Sequence, residues 1–114
     1  MTVADVLRSA KALLTPETWA QHDFAFNAEG ELCDPADAEA VSFCALGAVR
    51  RLKPLRVHSV EAEEYLHEAA VRICPESAEQ AENDDPAVWV NDHTDLETVH
   101  KMFDEAIRLA EGIS

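Results

Sequence analysis

An all-α fold, four or more helices around one core with at most a very small β-hairpin, is what this sequence predicts. Three segments carry that expectation. Residues 3–14, 60–74 and 96–110 each repeat apolar side chains at helical spacing, with polar residues on the opposite side. No internal repeat and no sustained heptad runs through the chain, so neither a solenoid nor a long coiled coil is expected. A length of 114 residues suits a single helical domain over 1–114. At this size folding buries about two-thirds of the unfolded surface, enough for one core without staples.

Thr2 is placed to cap a helix starting at Val3, with Asp5 favoured near the positive end of its dipole. Val3, Val6, Leu7, Ala10, Leu13 and Leu14 form its apolar stripe. Thr15-Pro16 then reads as a cap followed by a first helical proline, predicting a short second helix over 17–22 with Trp19 as a core anchor. Phe24-Ala25-Phe26 and Leu32-Cys33 flank the turn-forming Asn27-Ala28-Glu29-Gly30, a candidate hairpin or ordered loop within 24–33. Asp34-Pro35 opens a region of helical composition over 36–52. Gly47 costs about 1 kcal/mol there against alanine, which points to a break near Ser42 or to a tight crossing at Gly47. Pro54 ends it.

Ser59 is the expected cap of the next helix, with Ala62, Tyr65, Leu66, Ala69, Ala70 and Ile73 inward and Glu61, Glu63, Glu64 and Glu68 largely outward. Residues 75–86 read as an acidic excursion with one helical turn, and Val88-Trp89-Val90 as an extended return to the core. In the last helix Thr94 and Glu97 have capping-box spacing, Leu96, Val99, Phe103, Ala106 and Ala110 line the inner face, and Gly112 stops it. Trp19, Phe43, Leu46, Leu66, Trp89, Val99 and Phe103 are the expected large core residues.

Charge narrows the functional classes. Nine basic residues face twenty-three acidic ones, a formal net charge of −14. Residues 1–58 hold six basic and eight acidic side chains, a net −2, and residues 59–114 hold three and fifteen, a net −12. That field repels nucleic acid and anionic membrane and favours a protein partner with a basic surface. The start of the chain lacks a secretory pattern, no apolar run reaches membrane length, and three widely spaced cysteines make no disulfide framework. A cytoplasmic protein is expected.

Assembled, these residues resemble a family of small bacterial and phage proteins classified only as a domain of unknown function. The resemblance rests on Trp19, Ala28-Glu29-Gly30, Cys44 with Gly47-Ala48, Asn91-Asp92, and Val99 with Ala106-Ile107. It spans nearly the whole chain, leaves 53–87 without landmarks, and departs where Val90 separates Trp89 from Asn91. It implies a compact domain and no particular activity.

Two loop-to-helix joints carry the candidate chemistry. Cys44, at a helix start, is a possible nucleophile with His22, His58, His93 or His100 as base; the opposing reading is a small buried hydrophobe beside Gly47 and Ala48. Asp92, His93 and Asp95, with His100 beyond, are possible cation ligands, but neither EF-hand nor zinc spacing is present. The opposing reading has Asn91 and Asp92 bonding nearby amides in a turn. No motif calls for a cofactor or a metal. Arg50, Arg51, Lys53 and Arg56 are too few for a nucleic-acid footprint and are expected to pair with acidic neighbours. The Glu-rich helix and Asn83-Asp84-Asp85 also suggest phosphate mimicry toward a DNA-binding partner. The favoured function is a non-enzymatic interaction or accessory module. A small enzyme using Cys44, or Asp92 with a histidine such as His93, is the alternative. Oligomeric state is not encoded in any pattern seen.

Overall fold

The computed structural model describes residues 2–52, 56–81 and 85–112, with side chains of the third helix described from Val60 onward. Lys53, Pro54, Asn83 and Asp84, and the side chains of Arg56 and His58, fall outside the described residues. The elements run α1 (Val3–Ala12), β1 (Ala25–Phe26), β2 (Ser42–Phe43), α2 (Ala45–Arg51), α3 (Arg56–Ile73), α4 (Glu76–Gln80), α5 (Pro86–His93) and α6 (Leu96–Ala110). The mainly helical class with a very small sheet is as expected from the sequence.

α1 starts as its sequence dictates. The Thr2 hydroxyl accepts the Asp5 amide and the Asp5 carboxylate accepts the Thr2 amide, each at 3.1 Å, a reciprocal cap. Its stripe buries Val6, Leu7, Ala10 and Leu14. α6 packs against α3 and α1, while α5 lies against α3 and α4. Leu66 from α3, Val99, Met102 and Phe103 from α6, and Val49 and Val90 complete a fully buried centre. Phe43 and Leu46 are buried, whereas Trp19 and Trp89 pack on the core only partly covered.

Several elements depart from the sequence reading, each because a specific bond outcompetes local propensity. Residues 17–22 form no helix. The Thr18 hydroxyl accepts the Thr15 amide and donates to the Leu13 carbonyl, and the Ala20 amide then donates to Phe43 rather than into a helix. Residues 36–44 are likewise not helical. Asp34 and Asp37 each accept the amide two residues on, folding that stretch into turns, and Ser42 and Phe43 pair with β1. The break near Ser42 is therefore real, but only its C-terminal side is helical.

The β1 strand pairs antiparallel with β2, Ala25 opposite Phe43 and Phe26 opposite Ser42. The turn over Asn27 to Gly30 does form, with Gly30 at φ +78° and a bridge from Phe26 to Leu32, but the strand partner comes from farther along the chain. α3 begins at Arg56, so Ser59 lies inside it rather than at its cap. One helical turn does occupy 76–80, as α4.

Val88-Trp89-Val90 is helical, not extended. Pro86 supplies the first helical position, and the short helix is wedged among α2, α3, α4 and α6, so apolar residues on several faces are all useful. At its end the Thr94 hydroxyl and amide both donate to Val90, which removes Thr94 from capping α6. Asp95 does so instead, its carboxylate accepting the Thr98 amide at 2.8 Å and held below the usual carboxylate range by that bond. Glu97 stays in the first turn, where it pairs with Lys101.

Gly47 marks a tight crossing. A Cβ built there would lie 1.9 Å from the Phe24 carbonyl oxygen, which itself accepts the Cys44 amide at 3.2 Å. No side chain fits without moving the segment before β1 off α2.

At the other end of α5, the His67 Nδ1 accepts the Ala87 amide at 3.2 Å, with Nε2 3.6 Å from Asp85. Burial pushes His67 below the ordinary histidine value, an effect that the nearby Asp85 and Glu63 oppose and Arg50 assists. A protonated Nδ1 cannot accept that amide. His67 therefore contributes stability that is complete above about pH 6.5 and is lost as pH falls through its folded value. Thermal unfolding of the wild-type protein should weaken more between about pH 7.5 and about pH 5 than that of His67→Asn, whose amide oxygen accepts without titrating. Identical pH profiles would remove this role from His67.

Candidate functional site

The two conspicuous joints of the sequence meet in space, and Asn91 is where they meet. Its carboxamide is 1% exposed, on the inner side of α5. Its Oδ1 accepts the Trp19 indole N–H at 2.8 Å and the Ala45 amide at 3.0 Å, the first amide of α2. Its Nδ2 donates to the Ala20 carbonyl and to Asp92 Oδ1, both at 3.0 Å. All four hydrogen-bonding positions of the amide are used. The partners lie 71 and 46 residues away as well as next door, so the local-turn reading of Asn91-Asp92 is corrected: both sit inside α5 and bond across the fold.

Asp92 continues the joint. Its Oδ1 also accepts the His22 amide at 2.8 Å. His22 has φ +77°, a left-handed conformation that costs a non-glycine residue free energy unless its surroundings hold it. Gln21 Nε2 reaches the carbonyls of Asn91, Asp92 and Thr94 at 3.1, 3.4 and 3.3 Å, satisfying the end of α5. Residues 19–22 are thus laced to one helix terminus, and that lacing sets the path of Phe24.

Below this lacing lies a hollow of about 100 Å³, lined by His22, Asp23, Phe24, Cys44, Leu46, Val88, Asn91 and Asp92. Cys44 and Asp92 therefore share one cavity, which the sequence alone placed in separate motifs. His93 does not join them. It is exposed, its Nδ1 lies 3.0 Å from the Trp89 carbonyl, and its ring stacks on Trp89 at 4.8 Å between centroids. His100 is also elsewhere, against the Leu14 carbonyl at 2.8 Å.

Cys44 is the N-cap of α2 and accepts the Gly47 amide on Sγ at 3.3 Å. The position favours thiolate, yet the thiol is pushed up to about 11. Burial dominates, the Gly47 and Leu46 amides pull the other way, Asp92 adds to the rise and Arg50 opposes it. At neutral pH such a thiol is ionised to about one part in ten thousand. Among the described hydrogen bonds, no histidine ring reaches it. Among the described residues, no group of three or more His, Cys, Asp or Glu side chains is placed to hold a metal ion.

The basic residues flank this region. Arg50 pairs through two nitrogens with Glu63 at 3.1 and 3.3 Å, and its guanidinium lies 4.3 Å from the Phe24 ring centre. Arg51 donates to the Pro35 and Asp37 carbonyls at 3.2 and 2.5 Å, tying down the 34–41 segment. Sequence reasoning missed Ala20, Gln21, Leu46 and Val88 as parts of the site. The one local signal was the polar run Gln21-His22-Asp23 set between two aromatic residues.

Two outcomes follow from this geometry. Asn91→Ala leaves the Trp19 indole, the Ala45 amide and the Ala20 carbonyl without partners, and urea denaturation should show a loss of about 3 kcal/mol or more. In the native protein a thiol reagent followed by peptide mass mapping should modify half-buried Cys33 well before Cys44, which becomes reactive on unfolding. Cys44 labelled first would reverse the assignment of that thiol as inert.

A family model described as "Family of unknown function (DUF6197)" matches residues 1–109. The resemblance read from the sequence holds at that level. No curated protein and no solved structure matches the chain.

Proposed function

The chain belongs to this family of unknown function, and within it we propose a non-catalytic interaction module whose acidic α3 face receives a basic protein partner. The observation that carries this is the outward row of Glu61, Glu64 and Glu68 around Tyr65, which together line a shallow depression. A second depression adjoins it, bounded by Glu61, Tyr65, Glu111 and the start of α1. Glu61 and Glu64 form no ion pair among the described residues, while Glu68 pairs with Arg72 at 3.2 Å. Open carboxylates beside a half-buried phenol ring suit Lys and Arg side chains, which gain charge-assisted bonds and ring contact.

The competing enzyme reading draws on the shared hollow of Cys44, His22 and Asp92. Against it stand a protonated thiol and an Asp92 oxygen already committed to two structural bonds. A cytoplasmic location fits three cysteines that all remain free. No helix among the described residues is long and apolar enough to cross a membrane.

The test is capture of a basic protein by the wild-type chain and by the triple reversal Glu61→Lys, Glu64→Lys, Glu68→Lys. Capture should fall as salt rises from about 0.1 M to about 1 M, where the screening length shrinks from about 10 to about 3 Å. The reversed variant should keep its fold, because those side chains point outward, and lose capture at every salt concentration. Equal capture by both proteins would refute the α3 face as the docking surface.

A further inference from the structure

The Cys44 hollow is not used by the proposed partner face, and its chemistry selects a different kind of ligand. We propose that it binds a small organic cation, an alkylammonium with a short apolar chain, the chain seated against Leu46, Val88 and Phe24 and the ammonium on Asp92 and Asp23 at the mouth.

Size sets the first limit. Drug-sized ligands occupy roughly 300–1,000 Å³, whereas a dry cavity of about 150 Å³ accepts benzene. About 100 Å³ therefore admits only a short chain. The lining sets the second. Leu46, Val88, Phe24 and the protonated Cys44 give an apolar interior, where water has few partners and a hydrocarbon chain is favoured.

Charge sets the sign. Asp92 and Asp23 bring two carboxylates to the lining. Asp92 uses Oδ1 for its bonds to His22 and Asn91, and among the described residues Oδ2 has no hydrogen-bond partner. That open acceptor is fixed in place, because the same carboxylate is clamped through its other oxygen. Arg50, the cation that acts on the Cys44 thiol, is neutralised by its two-pronged bond to Glu63. At the Cys44 sulfur Asp92 opposes ionisation more than Arg50 favours it, while the Gly47 and Leu46 amides act in the opposite sense, so the charge that selects a cation is that of the Asp92 and Asp23 carboxylates themselves. An anion of the same size meets two carboxylates; a neutral alcohol keeps the apolar contact but loses the charge term.

The probe is n-butylammonium chloride, titrated into the full-length ¹⁵N-labelled chain, with sodium butyrate and n-butanol as controls at matched ionic strength. Saturable shifts should cluster on the amides of His22, Asp23, Leu46 and Val88. Dissociation constants should be millimolar, as befits so few heavy atoms. Butanol should bind up to about fivefold more weakly, the upper end expected for one partly exposed charge contact, and butyrate more weakly still. Val88→Phe fills the hollow and should abolish the shifts. Asp23→Asn, at an exposed position, should weaken binding several-fold without altering the fold. Comparable binding of butyrate and butylammonium, or shifts that avoid these four amides, would overturn the proposal on the wild-type chain alone. The α3 capture assay is unaffected by either result.

Discussion

One buried carboxamide decides where the non-helical stretch between α1 and α2 goes. Asn91 offers two acceptor positions and two donor hydrogens, and the fold uses each for a different purpose: anchoring Trp19, seating the first amide of α2, holding the Ala20 carbonyl, and steadying Asp92. No other side chain of that volume supplies both polarities in that arrangement. A leucine would fill the space but strand three polar groups in the interior, where each costs about 1–3 kcal/mol. An aspartate would keep the acceptors and turn the two donor contacts into repulsions. The rest follows mechanically. With Trp19 and Ala20 pinned, Gln21 covers the end of α5, His22 is bent into the left-handed region over Asp92, and Phe24 arrives with its carbonyl pressed on Gly47.

Helices whose ends and faces are set by neighbours in sequence were legible without coordinates. Thr2 and Asp5 close α1 as their spacing implies, Gly112 takes up φ +73° after α6, and the stripes of α1, α3 and α6 are the stripes that pack. What could not be read depends on partners far away. Thr94 looked like the cap of α6 because capping-box spacing is local, yet its hydroxyl is taken by Val90. The run Val88-Trp89-Val90 has strand composition, and burial on several sides made a helix of it. Residues 36–44 have helix composition, but Asp34 and Asp37 each accept the amide two residues on and β1 claims Ser42 and Phe43.

The candidate site shows the same division. That Cys44 caps a helix, and that Gly47 allows something to approach closely, are consequences of residue type and were accessible from the sequence. That the approaching group is the Phe24 backbone, and that Asp92 shares a hollow with Cys44, arise from bonds spanning 46 to 72 residues. Chemistry and acidity are thereby separated. Cys44 is buried and Asn91 is fully bonded, while Glu61, Glu64 and Glu68 stand exposed on α3.

The Phe24 carbonyl resting on Gly47 has a consequence for how sequences of this type can drift in length. The stretch from Trp19 to Phe26 is fastened at both ends and in its middle, so it has no slack: one added or deleted residue would slide that carbonyl off its seat and break the lacing at α5. The 27–41 stretch is instead built largely from short, mostly exposed turns closed by local bonds, held to the rest at Cys33, Val41 and Arg51. Insertions and deletions among relatives should therefore gather there and spare the earlier stretch.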